Sequence, residues 1–188
     1  MDFKILEEDV VLDDFFQIHK ANVIHDSYQG DKQIRATRLA LDRGDSAAIL
    51  IYEKDTGQFL FTEQFRYPSS RRNIPFILEL VAGAVDKGEK PIEAARREVL
   101  EEIGYDVDDL ELIHTYFPSP GMSAEVVYLY YTEVTTANQT RKGGGSKSEK
   151  EDIKLVKLSR KQIQNKLSEQ VFNNSITIIG LQWFLLNK

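Results

Sequence analysis

Residues 97–105 read REVLEEIGY, and this stretch decides how the rest of the chain is interpreted. Glu98, Glu101 and Glu102 lie three and four positions apart, so on a helix their carboxylates are neighbours and repel one another. Two interpretations are open at this point. Either water solvates an ordinary acidic helix face, or the helix holds a cation between its carboxylates.

Composition limits the classes of protein to which the chain can belong. The sequence has 188 residues, of which 41% are hydrophobic, enough for one ordinary domain with a small appendage. It contains no cysteine, which excludes disulfides, thiolate zinc sites and a cysteine nucleophile. The net charge of −6 argues against a broad nucleic-acid-binding surface. No signal peptide and no apolar run of ~18–20 residues is visible, so we expect a cytoplasmic protein with no membrane partner.

Alternation of apolar residues and turn signals predict a chain made mostly of strands. The predicted strands are 15–26, 33–41, 47–52, 59–65, 76–82, about 110–117, 124–133 and 153–158. The first two form a hairpin around SYQGD, and the next two form a hairpin around KDTG.

The helix that carries the glutamates is predicted from Pro91 to Ile103. Proline suits the first turn of a helix, and Gly104 suits the position just past its end. Further helices are predicted after Ser159, which can act as the N-cap, and over about 175–186. This order predicts an α+β fold, an α/β/α sandwich around a mixed sheet.

The glutamates belong to a longer pattern that resembles the Nudix box, GX5EX7REUXEEXGU, where U is aliphatic. Gly83, Glu89 and the stretch 97–105 supply every fixed letter of that pattern. The one departure is Tyr105, at a position that is usually aliphatic and that we expect to pack without taking part in the chemistry. The resemblance implies an enzyme that cleaves a nucleoside diphosphate linked to another group and uses Mg²⁺, with Mn²⁺ as a possible substitute.

The resemblance also assigns metal ligands. They are Glu98 and Glu102, together with the backbone carbonyl of Ala82 just before the box glycine. Carboxylate oxygens are the ligands that Mg²⁺ prefers, and substrate phosphates supply others. Arg97 is placed to pair with Glu101, four residues on, and so to hold the carboxylates in register.

Segments outside the box resemble ADP-ribose pyrophosphatases and the related GDP-mannose hydrolases. Pro120 and Gly121 lie in a Ser-Pro-Gly…Glu motif, with Pro120 fifteen residues past Tyr105, although Met122 replaces a common glycine. The resemblance implies that these residues contact the substrate. The motif alone is equally consistent with a plain turn.

Three more residues are candidates for substrate binding by the same resemblance. Arg66 in EQFRYP and Arg38 in RATRLAL match phosphate-facing arginines, and Phe15 matches an aromatic residue that stacks on the base. The alternative for the arginines is an ordinary surface position on a strand, and for the phenylalanine a place in the core.

The glycine-rich loop, 141–152, contains two further acidic candidates. The resemblance implies that Glu149 is the general base and that Glu151 adds a metal ligand when substrate is present. The glycines before them are expected to let the loop move. Glu101 is the next candidate for the base, and a solvated linker is the alternative interpretation of the loop.

The resemblance therefore implies hydrolysis of a nucleoside diphosphate sugar. ADP-ribose, giving AMP and ribose 5-phosphate, is the first candidate, and GDP-mannose, giving GMP and mannose 1-phosphate, is the second. A nucleotide sensor without catalysis is the rival from another class, and the intact box disfavours it. We expect an N-terminal β-hairpin segment at 1–44, a Nudix hydrolase domain at 45–188, and a homodimer in which the first segment helps to form the substrate pocket.

Overall fold

A computed structural model describes residues 1–30, 32–146 and 150–188. The chain forms two compact units, each continuous in space but not in sequence. The first unit comprises Met1–Gly44 and Phe117–Val126, and the second comprises Asp45–Tyr116 and Val127–Lys188.

The first unit is built on an antiparallel sheet in the order β1-β2-β3. Its strands are β1 (Phe3–Asp13), β2 (Gln17–Asp26) and β3 (Gln33–Asp42). The predicted hairpin is present, since β2 and β3 pair along their whole length. The sequence analysis missed β1, because all of its residues are exposed and no alternation of buried positions marks it.

The second unit contains a mixed sheet. Its strands are β4 (Ser46–Glu53), β5 (Gln58–Phe65), β6 (Phe76–Glu79), β7 (Val81–Ala84), β8 (Glu111–Tyr116), β9 (Val127–Val134) and β10 (Lys154–Ser159). The main path runs β10-β5-β4-β9-β8. The β4–β9 pair is parallel, and the other pairs are antiparallel.

The predicted strand 76–82 is in fact two strands. Its first half, β6, pairs with β5, whereas β7 pairs with β4. Leu80 lies at the break, fully buried, and its backbone N–H donates to Thr177 Oγ1 at 3.1 Å. The prediction of a single strand was wrong because an apolar run indicates burial but not a change of pairing partner.

Helices cover both faces of this second sheet. They are α1 (Tyr67–Ser70), α2 (Pro91–Glu102), α3 (Arg160–Ser168) and α4 (Ser175–Asn187). One core lies between the sheet and α2, with Ala95 and Val99 fully buried. The other core lies under α3 and α4, where Ile163 and Leu181 are buried. The predicted α+β fold with a mixed sheet is confirmed.

Helix α4 packs with aromatic side chains. The ring of Trp183 lies 5.3 Å from that of Tyr131, and the ring of Phe184 lies 4.7 Å from that of Phe59. Among the described residues, no helix combines the length and the apolar character needed to cross a membrane.

Candidate active site

Helix α2 divides its glutamates between the interior and the solvent. Glu98 and Glu102 lie one turn apart, and only 8% and 2% of their surfaces are exposed. Glu101 between them is exposed. The helix therefore presents two carboxylates inward and one outward, rather than three on a common solvated face.

Gly83 on β7 explains how Glu98 fits under the sheet. A Cβ atom built on Gly83 would lie 2.0 Å from Cδ of Glu98 and 2.1 Å from its Oε1. No side chain can occupy that space, so the glycine of the box allows the carboxylate to approach the strand backbone.

Arg97 connects the carboxylates of the box. Its Nε and Nη2 donate to both oxygens of Glu89 at 3.1 and 3.0 Å, and its Nη1 donates to Glu98 Oε1 at 2.5 Å. Nη2 also donates to the carbonyl of Ala84 at 2.8 Å. The predicted pair with Glu101 is present but is the longest of these contacts, at 3.3 Å. Its hydrogen bonds to Glu89 raise the pKa of Arg97, so its charge is permanent.

The buried carboxylates resist ionisation in the absence of a cation. Burial raises the pKa of Glu98 to about 7; Arg97 opposes that shift, whereas Glu101 and Glu151 add to it. Burial also raises the pKa of Glu102 well above its ordinary value, and the charges of Glu98 and Glu151 raise it further. Within the described residues, Glu102 Oε2 is buried without a hydrogen-bond partner.

These features fit a divalent cation. The site offers hard oxygen atoms, an unpartnered buried carboxylate oxygen and mutual repulsion that a positive charge would relieve. Ala82 lies in β7 directly before Gly83, opposite Ala48 of β4. Among the described residues, no group of three or more histidine, aspartate or glutamate side chains is arranged so that it could hold a metal ion by itself. An open site of this kind suits Mg²⁺, which binds through one or two carboxylates together with substrate oxygens and water.

Of the two candidate glutamates of the glycine-rich loop, Glu151 lies within the described residues and Glu149 lies outside them. The backbone N–H of Ser146 donates to Glu151 Oε2 at 2.9 Å. The charge of Glu151 acts on both Glu98 and Glu102. Glu151, a predicted metal ligand, therefore lies close enough to Glu98 and Glu102 for its charge to affect their ionisation.

Arg66 is held by a residue that the sequence analysis overlooked. Its Nε and Nη2 donate to Glu79 Oε1 at 2.8 and 2.7 Å. The other Glu79 oxygen accepts a hydrogen bond from Asn174 Nδ2 at 3.1 Å. The charge of Arg66 lowers the pKa of Glu102, which places Arg66 near the box carboxylates. A lone acidic residue in the apolar run FILELVA was the available signal for Glu79.

Tyr105 packs in the core, as expected, and its hydroxyl also makes polar contacts that the sequence did not indicate. The residue is fully buried, and its hydroxyl donates to Glu53 Oε1 at 2.6 Å. Lys157 Nζ donates to that hydroxyl at 2.9 Å and to both Glu53 oxygens at 2.8 Å. The tyrosine thus links the segment after α2 to β4 and β10.

The sequence profile of the NUDIX domain matches residues 42–172. The chain belongs to the Nudix family. The family predicted from the box is confirmed.

Named relatives of this Nudix protein act on nucleotide sugars. The ADP-ribose pyrophosphatase of Haemophilus influenzae is 35% identical over 191 residues, which cover 99% of this chain and 87% of the relative. The GDP-mannose pyrophosphatase of Pectobacterium atrosepticum is 31% identical over 180 residues, covering 95% and 91%. A solved structure of an ADP compounds hydrolase has a TM-score of 0.72, 16% identity and coverage of 99% and 94%, and supports the fold.

The remaining substrate candidates of the Nudix protein lie in its first unit. The side chain of Phe15 is 89% exposed and contacts Phe16 edge-on, so it is not a core residue. Arg38 is exposed and donates only to the carbonyl of Thr37 among the contacts described.

Pro120 and Gly121 lie in an exposed turn of the first unit. The N–H groups of Met122 and Ser123 close this turn on the carbonyl of Ser119. The structure thus places Ala82, Arg97, Arg66 and the described glutamates in the second unit, and Phe15, Arg38, Pro120 and Gly121 in the first.

Proposed function

We propose that this Nudix protein hydrolyses the diphosphate of a nucleoside diphosphate sugar, with ADP-ribose as the leading substrate. The observation that carries the proposal is the buried pair of Glu98 and Glu102, of which Glu98 is bonded to Arg97 and fits beneath Gly83. The full-length similarity to an ADP-ribose pyrophosphatase supports this substrate. The products would be AMP and ribose 5-phosphate.

The proposed cofactor is Mg²⁺, which Mn²⁺ can replace. The carboxylates of Glu98 and Glu102 would hold it, with the carbonyl of Ala82 and the carboxylate of Glu151 as further ligands. When bound, a divalent ion neutralises phosphate charge and lowers the pKa of a coordinated water. Arg97 keeps Glu98 oriented through its hydrogen bond, and the other hydrogen bonds of Arg97 keep the guanidinium itself in place.

The arginines and the exposed aromatic ring are proposed to bind substrate. Glu79 occupies Nε and Nη2 of Arg66, so Nη1 is the nitrogen that we assign to a phosphate oxygen. Arg38 is assigned to the second phosphate, and Phe15 to stacking on the base. Pro120 and Gly121 would shape the loop that contacts the substrate.

A general base must accept the proton of the attacking water as the new P–O bond forms and the bridging P–O bond breaks. We assign this role to Glu149 and name Glu101, which is exposed at the box, as the alternative. Comparing Glu149→Gln with Glu101→Gln decides between them. The variant that lacks the true base should show a kcat lower by ~10²-fold or more while it still binds substrate. As a control, Lys150→Ala should remain near wild type.

GDP-mannose, giving GMP and mannose 1-phosphate, is the second candidate substrate. It is favoured by the similarity to the GDP-mannose pyrophosphatase of Pectobacterium atrosepticum, which covers 95% of this chain.

Release of phosphate from a panel of nucleotide sugars, with Mg²⁺ and a coupling phosphatase, tests the proposal. Only the cleaved monophosphates yield phosphate, so the signal reports breakage of the diphosphate. ADP-ribose should have the highest kcat/KM, and a Glu98→Gln variant should be inactive on every substrate. If no nucleotide sugar is cleaved, the protein is not a nucleotide-sugar hydrolase. If GDP-mannose is preferred, the second candidate is correct.

We further propose that the protein is a homodimer that associates through β1. This edge strand carries exposed apolar side chains, and an exposed apolar edge strand is a ready site for pairing with another chain. They are Phe3, Ile5, Leu6, Val10, Val11 and Leu12. Light scattering at micromolar concentration should give the mass of two chains. A monomer with full activity would refute the dimer.

A further inference from the structure

The glycine strip, Gly143–Gly145, lies against the C-terminal end of α2. The N–H of Gly144 donates to the carbonyl of Glu102 at 2.9 Å, and the N–H of Gly145 donates to the carbonyl of Glu101 at 3.1 Å. The last carbonyls of a helix have no partners within the helix. The strip therefore caps the box helix at the residues that carry its carboxylates.

The chain just before the strip also binds the end of the helix. The N–H groups of Thr140 and Arg141 donate to the carbonyl of Gly104 at 2.9 and 3.1 Å. A Cβ atom at Gly104 would lie 2.1 Å from the carbonyl oxygen of Arg141. The two backbones are in direct contact, which only a glycine at position 104 permits.

Gly143 is required for the same close approach. A Cβ atom there would lie 2.6 Å from the carbonyl carbon of Ile103 and 2.7 Å from the carbonyl oxygen of Glu102. Its φ of +69° is also a conformation that favours glycine. The sequence analysis assigns these glycines to loop movement, but the structure shows that Gly143 is needed for docking.

The far end of the strip holds Glu151. A Cβ atom at Gly145 would lie 2.6 Å from Cβ of Glu151 and 2.9 Å from its Oε2. That same oxygen accepts a hydrogen bond from the N–H of Ser146. The N–H of Glu151 in turn donates to the carbonyl of Ser146 at 3.1 Å. The N–H of Ile153 donates to the carbonyl of Gly144 at 3.2 Å, which closes the loop behind Glu151.

We propose that Gly145 is a positioning residue that fixes the carboxylate of Glu151 relative to Glu98 and Glu102. Helix α2 carries two of the carboxylates itself and places the third through the glycine strip that caps its end. The inference rests on the proposed metal-dependent hydrolysis and adds to it the residue that sets the geometry of the loop ligand. A methyl group at position 145 would displace Glu151.

The decisive variant is Gly145→Ala, and the chain offers a matched control in Gly30→Ala. The φ angles of Gly145 and Gly30 are +87° and +88°, so both alanines would be held at the same unfavourable φ. A Cβ at Gly30 meets no atom within 4 Å, whereas a Cβ at Gly145 meets Glu151. Thermal unfolding of both variants measures the cost of the strain separately from any effect at the site.

Binding of Mn²⁺ to the protein saturated with a non-hydrolysable ADP-ribose analogue, followed by electron paramagnetic resonance, gives a readout that does not require turnover. Gly145→Ala should weaken Mn²⁺ binding by ~10-fold or more, the usual effect of misplacing a metal ligand through its support. The kcat for ADP-ribose should fall while KM changes little. Gly30→Ala should bind Mn²⁺ like the wild type.

A double variant tests whether Gly145 acts through Glu151. Gly145→Ala combined with Glu151→Gln should bind Mn²⁺ no more weakly than Glu151→Gln alone. Additive losses would overturn the proposal, and so would wild-type Mn²⁺ binding by Gly145→Ala.

If Gly145→Ala does not fold, Glu151→Asp takes its place, because it withdraws the carboxylate by one methylene without adding an atom to the strip. It should also weaken Mn²⁺ binding, and an unchanged affinity would overturn the proposal. A wild-type protein that binds Mn²⁺ but cleaves no nucleotide sugar would refute the proposed function alone.

Discussion

Glu98 and Glu102 are almost withdrawn from water, although a glutamate with an ordinary pKa is charged at neutral pH. Burial is costly for a carboxylate, most of all for Glu102, whose Oε2 has no hydrogen-bond partner among the described residues, and the two groups repel each other across one helical turn. A structural role alone gives no reason to keep both of them acidic. A role in holding a cation does, because the same repulsion becomes attraction when the cation is present.

Replacement of either buried carboxylate by its amide tests this role. Glu98→Gln and Glu102→Gln should each lower kcat by ~10²-fold or more, since the metal supplies several kcal/mol of charge stabilisation. The melting temperature should stay the same or rise, because a buried repulsion is removed. Glu93→Gln, exposed in the first turn of the same helix, is the control. Near-normal turnover of either variant at saturating Mg²⁺ would contradict the assignment.

Glu53 makes a separate contribution to stability that depends on pH. Burial alone would raise its pKa, but hydrogen bonds from Lys157, Thr56 and Tyr105 outweigh that effect and lower it. A carboxyl whose pKa is lower in the folded state stabilises the protein above its unfolded pKa. That contribution is lost as the pH falls through the folded pKa.

The prediction for Glu53→Gln follows from this sign. At pH 7 the variant should lose about 2 kcal/mol of unfolding free energy, because Lys157 keeps its charge without its partner. The difference from the wild type should shrink as the pH falls from about 4.3, the ordinary pKa of glutamate, through the lower pKa of the folded state, because the wild-type carboxyl then becomes protonated. Urea unfolding at several pH values measures it.

Glu63→Gln is a matched control for Glu53→Gln. Glu63 also pairs with a lysine of β10, Lys154, at 2.9 Å, but both side chains are solvent-exposed. Surface ion pairs contribute little, so this variant should lie within about 0.5 kcal/mol of the wild type. A difference between Glu53→Gln and the wild type that is constant with pH would contradict the linkage.

The role of Tyr105 shows why the residue scale is hard to predict from sequence. Its partners, Glu53 and Lys157, are each 52 positions away along the chain, in opposite directions. The box pattern assigns this position to packing, and no local spacing reveals a buried network. The contacts of Arg97 with Glu98 and Glu101 were easier to predict from the sequence, because both glutamates lie within one helical turn of it.

At the scale of secondary-structure elements, residues at the ends of a helix predicted where that helix begins and ends. Helix α2 begins at Pro91, and its end is marked by Gly104, whose φ is +77°. The pairing of β6 and β7 with different strands had no such signal, since pairing depends on residues distant in sequence. The docking of the glycine strip was likewise hidden, because a glycine run looks the same whether it moves or packs closely.

The N-caps of α3 and α4 give a test at this scale. Ser159 Oγ accepts the N–H of Gln162, and Asn174 Oδ1 accepts the N–H of Thr177. Ser159→Ala should cost about 1 kcal/mol of unfolding free energy, the usual value of a cap. Asn174→Ala should cost more, because Asn174 also donates to buried Glu79.

Asn174→Ser separates the two contributions of Asn174, because serine keeps the cap acceptor and removes the amide donor to Glu79. Its unfolding free energy should lie between those of the wild type and Asn174→Ala. Equal costs for Ser159→Ala and Asn174→Ala in urea unfolding would show that the hydrogen bond to Glu79 contributes nothing to stability.

At the scale of the whole molecule, the exposed apolar strand β1 predicts that stability depends on concentration. If two chains associate through β1, the melting temperature should rise with protein concentration. Leu6→Glu, on β1, should abolish that rise, and Leu186→Glu should not, although Leu186 is also exposed. Scanning calorimetry across a hundredfold concentration range measures both variants. A wild-type melting temperature independent of concentration would contradict the dimer.

Trp183 of α4 packs beside Tyr131 of β9, and its fluorescence reports on the folding of its surroundings. It is the only tryptophan of the chain, so its emission follows the second unit alone. Far-ultraviolet circular dichroism also registers the strands of the first unit. If the two signals change at the same urea concentration, the units unfold as one cooperative body. If they change at different concentrations, the units melt in separate steps.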